Sequence, residues 1–172
     1  MNPLTTEPSS RPRHFAFVGD YLPRHCGRWL EEEGSEDSHA RALCAVGTVL
    51  GRSRNEGYGR LCGLLFKRGL PVVQTFTSPR AWAFALLAIH EYLRRFNGDR
   101  LANATRDKLT EKLLTLWHSS ASEDWPWFEP VSTYGNARLS MPHAEAREIG
   151  LKSLRWLCDI QNGASRAFPA DW

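Results

Sequence analysis

Apolar residues recur every three or four positions from about Asp37 onwards, which is the spacing of amphipathic helices. The first predicted helix begins at the capping residues Ser35, Asp37 and Ser38, and Gly51 ends it. Its apolar positions are Ala42, Leu43, Val46, Val49 and Leu50.

The next two predicted helices have clear boundaries. The second covers residues 58–68 and ends at Gly69 and Pro71. The third begins at Ser78 and Pro79, a capping serine followed by proline at the first helical position. Its apolar positions are Trp82, Leu86, Ile89, Leu93 and Phe96.

A fourth helix and a long loop follow. Asn97 and Gly98 end the third helix, and Asp99 caps the fourth. Residues 119–134 are rich in Ser, Asp and Pro, which predicts a loop, and long ordered loops are usually functional. The apolar positions of the fourth helix are Leu101, Leu109, Leu113, Leu116 and Trp117.

Two last helices are expected over residues 136–149 and 151–161. Residues 72–76 carry the one strand signal, so the pattern predicts an all-α fold of about six helices in three hairpins. Residues 1–13 are polar and Pro-rich and predict a disordered tail before a single domain over 14–172. The inward positions of the last helix are Leu154, Leu157 and Cys158.

Composition narrows the classes of partner. A chain of 172 residues with 42% hydrophobic and 24% charged residues suits one globular domain. The net charge of +3 comes from basic residues scattered among acids, so we expect no nucleic-acid partner. No apolar run approaches the roughly 18 to 20 residues of a membrane span, so we expect no membrane partner.

Cysteine usage indicates the compartment. Cys26, Cys44, Cys62 and Cys158 lack the C-x-x-C spacing of a zinc site or redox motif, and they predict free thiols in a reducing compartment. Two disulfides are the alternative. Residues 1–13 contain no apolar core of a signal peptide, so we expect a cytoplasmic protein.

Residues 124–138 carry the candidate chemistry, because acids, large aromatics, an amide and a guanidinium are concentrated there. Sugar rings lie on aromatic faces, and their hydroxyls bind carboxylates, amides and guanidinium groups. The alternative is that Trp125, Trp127 and Phe128 are core aromatics and Glu129 caps a helix. The candidate sugar-binding residues of this segment are Trp125, Trp127, Tyr134, Asn136 and Arg138.

Glycoside hydrolysis requires two carboxyl groups. Glu129 is the candidate acid, because apolar neighbours favour the protonated form of a carboxyl group, and Asp124 or Asp37 is its candidate partner. No metal or other cofactor is expected, since His90 lacks a second histidine four residues on, where Arg94 stands.

Four segments together resemble a known family. They are residues 29–43 (WLEEEGSEDSHARAL), 78–82 (SPRAW), 124–138 (DWPWFEPVSTYGNAR) and 153–157 (SLRWL). In this order they resemble the bacterial six-hairpin glycosidase-like domain that accompanies glycosyltransferases and mannoside-handling enzymes. The resemblance covers about residues 28–168.

The resemblance implies helical hairpins that form part of an (α/α)6 toroid and act on or bind a mannoside-like glycan. The family's domain is about twice as long, so this chain corresponds to its C-terminal half, with about three hairpins. Apolar surface of a half-ring has to be covered. The implied partners are a carbohydrate, a glycosyltransferase or the missing N-terminal half-domain, and a second copy of this chain in a homo-oligomer.

The resemblance also adds site residues and shows departures. It implies that Asp37, His39 and Arg41 bind the sugar or take part in catalysis. Gly135 stands where the family has Asp, and the missing carboxylate favours an alternative function, a non-catalytic interaction module or a truncated remnant. Two further departures are Ala40 in place of Gly and Cys44 in place of Trp.

Overall fold

Helices make up the regular structure of the described chain. The computed structural model describes residues 34–130 and 147–167, with side chains up to Gly163, and no strand occurs within these ranges. The all-α class is therefore confirmed, and the toroid stays a prediction. The predicted tail lies outside the described residues. The elements are α1 Glu36–Arg52, α2 Glu56–Gly69, a 3₁₀ helix Leu70–Thr75, α3 Pro79–Leu93, α4 Arg100–Ser120 and α5 Arg147–Ala167.

Side-chain caps set the starts of the first four α-helices. Ser35 Oγ accepts from the backbone N–H of Ser38 at 3.2 Å, and Asp99 accepts from Ala102 at 3.0 Å. Ser78 caps α3 in the same way, with Pro at the first helical position. These three starts are predicted from local sequence, whereas the cap of α2, Asn55, lies three residues before the predicted region.

The strand signal at residues 72–76 is wrong. Those residues continue from α2 as the 3₁₀ helix Leu70–Thr75. A strand with one solvent-exposed face alternates buried and exposed residues. This run lacks that alternation, because its apolar residues are all buried: Leu70, Val72, Val73 and Phe76. A short apolar run of this kind does not distinguish a strand from a buried helical turn.

Some helix ends and some buried positions differ from those that the sequence pattern predicts. α1 passes through Gly51, and α5 passes through Gly150, because a glycine weakens a helix without ending it when its neighbours continue the hydrogen bonds. The predicted break between the last two helices is therefore absent, and residues 136–146 of the first lie outside the described ranges. Phe96, Leu101 and Cys158 are exposed, not inward.

α1 and α3 lie side by side and run in the same direction, and two glycines allow their approach. A Cβ on Gly47 would lie 2.5 Å from the carbonyl oxygen of Ala88, and one on Gly51 would meet the carbonyl oxygen of Glu91. Any larger residue would force the helices apart. Fully buried alanines lie seven residues earlier on each helix, Ala40 before Gly47 and Ala81 before Ala88.

Hydrogen bonds join α1 to α3 at both ends of this helix pair. At the start, the Glu36 carboxylate accepts hydrogen bonds from the backbone N–H groups of Thr77 and Ser78, at 2.9 and 2.8 Å. At the end, Arg95 donates to the carbonyl of Ser53 at 2.9 Å. The register of α1 against α3 is thus fixed by backbone contact in the middle and by hydrogen bonds at each end.

α2 and α4 reverse direction beside this pair. The end of α2 returns to the start of α1, where His39 Nε2 contacts the Gly69 carbonyl oxygen at 3.0 Å. α4 returns along α3, and Lys112 Nζ donates to the Phe76 carbonyl at 2.9 Å. Near the turn between α3 and α4, burial and the hydrogen bond to Asp99 raise the pKa of Tyr92 to about 12.

In the described part of the chain, no helix combines the length and the apolar character needed to cross a membrane. Cys44, Cys62 and Cys158 are reduced thiols.

Gly47→Ala tests the α1–α3 contact. We expect it to lower the free energy of unfolding by about 2 kcal/mol, since the new methyl group meets the backbone of Ala88. The measurement is urea denaturation followed by circular dichroism. The control is Gly63→Ala on α2, where a Cβ meets nothing within 4 Å and should stabilise the helix by about 0.5–1 kcal/mol. Equal effects of the two variants would contradict the contact.

Asp99→Asn tests the cap of α4. The hydrogen bond from Ala102 N–H, followed by that from Tyr92, lowers the pKa of Asp99 below its usual 3.8. The stability from its charge is therefore present above pH 3.8 and is lost as the pH falls through the lowered value. We expect Asp99→Asn to lower the free energy of unfolding at pH 7. The difference in this free energy between the variant and wild type should shrink as the pH falls below the usual pKa of an aspartate. Asp107→Asn, exposed on α4, is the control.

Candidate functional site

The segment of residues 121–130 places two of its aromatics in the core. Trp127 and Phe128 are 0% and 1% exposed. Phe128 meets Trp117 of α4 edge to face, with ring centroids 5.2 Å apart. Trp127 and Phe128 are therefore core aromatics, the alternative to sugar-binding residues, because neither ring offers a face to a ligand in this arrangement.

Hydrogen bonds within the segment hold its shape. Trp125 N–H donates to Ser122 Oγ at 3.0 Å, and the Trp125 carbonyl accepts from the N–H groups of Ser122 and Trp127, at 3.0 and 2.8 Å. The indole N–H of Trp125 donates to the Glu129 carbonyl at 2.7 Å. The segment is thus closed on itself, and the Ala121 N–H joins its start to the end of α4 by donating to the Trp117 carbonyl at 2.8 Å.

Glu129 joins the segment to α3 through an ion pair. Nη1 of Arg80, in the first turn of α3, lies 2.9 Å from Oε1 and 2.7 Å from Oε2 of Glu129. The two side chains are 9% and 18% exposed, so solvent screens this pair weakly. The carboxylate predicted to lie among apolar neighbours therefore faces a guanidinium group.

A second ion pair lies on the same side of the α1–α3 pair. Arg41 Nε donates to Asp37 Oδ2 at 2.6 Å, and the guanidinium group lies over the Phe84 ring, 4.4 Å from its centroid. Phe84 and Arg80 are four residues apart on α3 and share a face. The structure thus brings the predicted residues Asp37 and Arg41 to the helix face that also carries the Arg80–Glu129 pair.

His39 lies apart from these groups. Its ring is 2% exposed, bound to the Gly69 carbonyl and set edge to face against Phe76, with centroids 5.4 Å apart. It joins α1 to the end of α2 as a core residue. Asp124 is exposed, and Tyr134, Asn136 and Arg138 lie outside the described residues.

An open groove of about 570 Å³ runs between this segment and α5. Four charged residues of α5 follow one another at spacings of four, three and four, which puts them on one helix face. The groove is lined by Pro126, Glu148, Leu151, Lys152, Arg155, Trp156 and Asp159.

Trp156 connects the groove to the core. Its ring stacks on Trp127, with centroids 5.7 Å apart at 29°, and meets Trp125 edge to face at 4.8 Å. The residue is partly buried and also lines the groove. One aromatic side chain therefore anchors α5 and contributes an apolar surface to the groove.

The groove contains residues that the sequence interpretation missed. The sequence pattern does not predict a functional role for Glu148, Lys152 or Asp159. Arg155 and Trp156 belong to the segment 153–157, which only the family resemblance singles out. The signal that points to them is a tryptophan among charges of both signs on one face of an amphipathic helix. Among the residues described, no cluster of three or more His, Cys, Asp or Glu side chains could hold a metal ion.

No family model, no curated protein and no solved structure matches the chain. The resemblance to the six-hairpin glycosidase-like domain stays a prediction.

A double-mutant cycle on Arg80→Met and Glu129→Gln tests the ion pair at the segment. We expect each single variant to lower the free energy of unfolding, with a coupling of about 2 kcal/mol, because either change removes one partner of a nearly enclosed ion pair. The control cycle uses Arg106→Gln and Asp107→Asn, an exposed pair whose coupling we expect to be about 0.3 kcal/mol. Indistinguishable couplings would show that the pair does not hold the segment.

Proposed function

We propose that this chain is a carbohydrate-binding helical domain whose glycan lies in the groove between residues 121–130 and α5. The observation that carries the proposal is the partly buried Trp156 set among acidic and basic side chains in an open groove. Sugar recognition combines an aromatic face with polar groups that bind hydroxyls. Pockets for small ligands fall at about 300–1,000 Å³, which includes this groove.

Five of the lining residues have a defined task in this proposal. Trp156 contacts the C–H face of a sugar ring. Glu148 and Asp159 accept hydrogen bonds from hydroxyls, and Arg155 and Lys152 donate them. The mannoside-like identity of the glycan and the association with a glycosyltransferase rest on the family resemblance, and the cytoplasmic location rests on the cysteines.

Distance favours binding over hydrolysis at the groove. Glu148 and Asp159 are eleven residues apart on one helix, so their Cα atoms are about 16 Å apart at 1.5 Å per residue. Glycosidase carboxyl groups are about 5–5.5 Å apart in retaining enzymes and about 6.5–9.5 Å apart in inverting ones. The predicted acid Glu129 is engaged by Arg80. We therefore propose a binding domain, with hydrolysis by Glu129, Asp124 or Asp37 as the catalytic alternative.

A second candidate function is a non-catalytic interaction module that self-associates. Tyr58, Leu61 and Leu64 of α2 are three residues apart and are 63%, 58% and 49% exposed. Contiguous exposed apolar residues of this kind favour a protein contact. Sedimentation of wild type and Leu61→Lys distinguishes the functions, since self-association predicts a dimer that the variant loses, whereas glycan binding is independent of α2.

Asp159→Asn and Arg155→Gln test the glycan groove. Both side chains are exposed, so the fold should persist, and we expect each variant to weaken mannoside binding about tenfold through loss of a charged hydrogen bond. The measurement is calorimetric titration with methyl mannoside and mannobiose, after a glycan array has identified the preferred sugar. Asp107→Asn on α4 is the matched control and should bind as wild type does.

Two results would contradict this assignment. One is equal affinity in wild type, Asp159→Asn and Arg155→Gln. The other is turnover of a nitrophenyl mannoside by wild type that Glu129→Gln abolishes without unfolding, which would instead support the catalytic alternative.

A further inference from the structure

A basic depression of about 490 Å³ lies where α1 and α3 end. Four of its six lining residues are arginines. It is separate from the glycan groove. Arg80, which binds the aromatic segment, lies in the first turn of α3, whereas Arg94 directly follows the end of α3. Fourteen residues of helix place these two arginines about 21 Å apart. The lining residues are Gly51, Arg52, Ser53, Arg54, Arg94 and Arg95.

Structural roles account for part of this charge. Arg95 Nη1 donates to the carbonyls of Leu50 and Ser53, at 3.3 and 2.9 Å, which satisfies the end of α1. Cations are also favoured at helix C-termini by the helix dipole, and two such ends meet here. Arg95 therefore has a structural role at the end of α1.

Glu91 organises two of the other arginines. Arg52 donates to it through Nε and Nη2, at 3.0 and 2.6 Å, and Arg94 donates through Nη1 at 3.2 Å. The hydrogen bond from Arg52 lowers the pKa of Glu91, so the carboxylate stays charged. Arg52 and Arg94 are still 63% and 53% exposed. One carboxylate therefore positions two guanidinium groups without covering them.

Arg54 adds a charge that has no structural role in the described part of the chain. It lies between α1 and α2, is exposed, and makes no hydrogen bond or ion pair with residues of that part. The nearby Ser53 hydroxyl accepts from the Asn55 N–H at 3.2 Å, which leaves its own proton available to a ligand. The depression is thus lined by four arginines, two of which bind the Glu91 carboxylate.

We propose that this depression binds a small phosphate-bearing anion, a phosphate monoester or a diphosphate. Guanidinium groups match the oxygens of phosphate in paired hydrogen bonds, and several guanidinium groups around one concavity favour a multiply charged anion over a single carboxylate. The site is a confined depression at the end of two helices, not a basic stripe along the surface, so it fits a small ligand better than a nucleic acid.

The test is calorimetric titration of the whole chain with pyrophosphate and with inorganic phosphate, at about 50 and about 200 mM salt. We expect pyrophosphate to bind more tightly, and Arg54→Gln to weaken its binding about tenfold. The double variant Arg54→Gln/Arg94→Gln should show no measurable binding. Arg68→Gln, exposed on α2, removes the same charge elsewhere and should bind as wild type does.

Three outcomes would overturn the site. The first is no binding of pyrophosphate by wild type at about 1 mM ligand. The second is the same loss in Arg68→Gln as in Arg54→Gln, which would mean that overall charge is responsible. The third is tighter binding of a single-stranded oligonucleotide than of pyrophosphate, with the same dependence on Arg54. Circular dichroism of each variant verifies that the fold is intact.

Discussion

The contact of α1 with α3 is the constraint on which the rest of this structure depends. At Gly47 and Gly51 the two backbones approach so closely that no side chain fits between them. A contact this close leaves little freedom to slide or rotate, because neighbouring turns of one helix meet the backbone of the other. Glu36 at one end and Arg95 at the other complete the alignment with hydrogen bonds to backbone groups.

Parallel alignment gives the two ends of the helix pair different chemistry. The beginnings of both helices lie together, where the Asp37–Arg41 and Arg80–Glu129 pairs flank one face of α3. The ends also lie together, and two helix C-termini attract cations more strongly than one. The proposed glycan groove adjoins the aromatic segment that Arg80 binds at the start of α3, whereas the proposed phosphate site lies at the end of α3.

The aromatic segment serves mainly as a structural connection. Trp127 and Phe128 fill the core, Glu129 binds Arg80, and Trp125 closes the turn. It contributes to the proposed site directly through Pro126, which lines the groove, and indirectly through the support that Trp127 gives to Trp156. The rest of the proposed ligand surface comes from α5, where a regular helix spaces four charged side chains along one face.

The sequence alone determined the helical class and the starts of α1, α3 and α4, because Ser35, Ser78 and Asp99 cap backbone groups only three residues away. Tertiary structure decided that residues 72–76 are a buried turn, that Trp127 is core, and that Glu129 meets Arg80, 49 residues earlier in the chain. It also placed Pro126 opposite α5 to form the groove. Caps and periodicity act over one or two helical turns, whereas burial, ion pairing and grooves arise between segments that only the folded chain brings together.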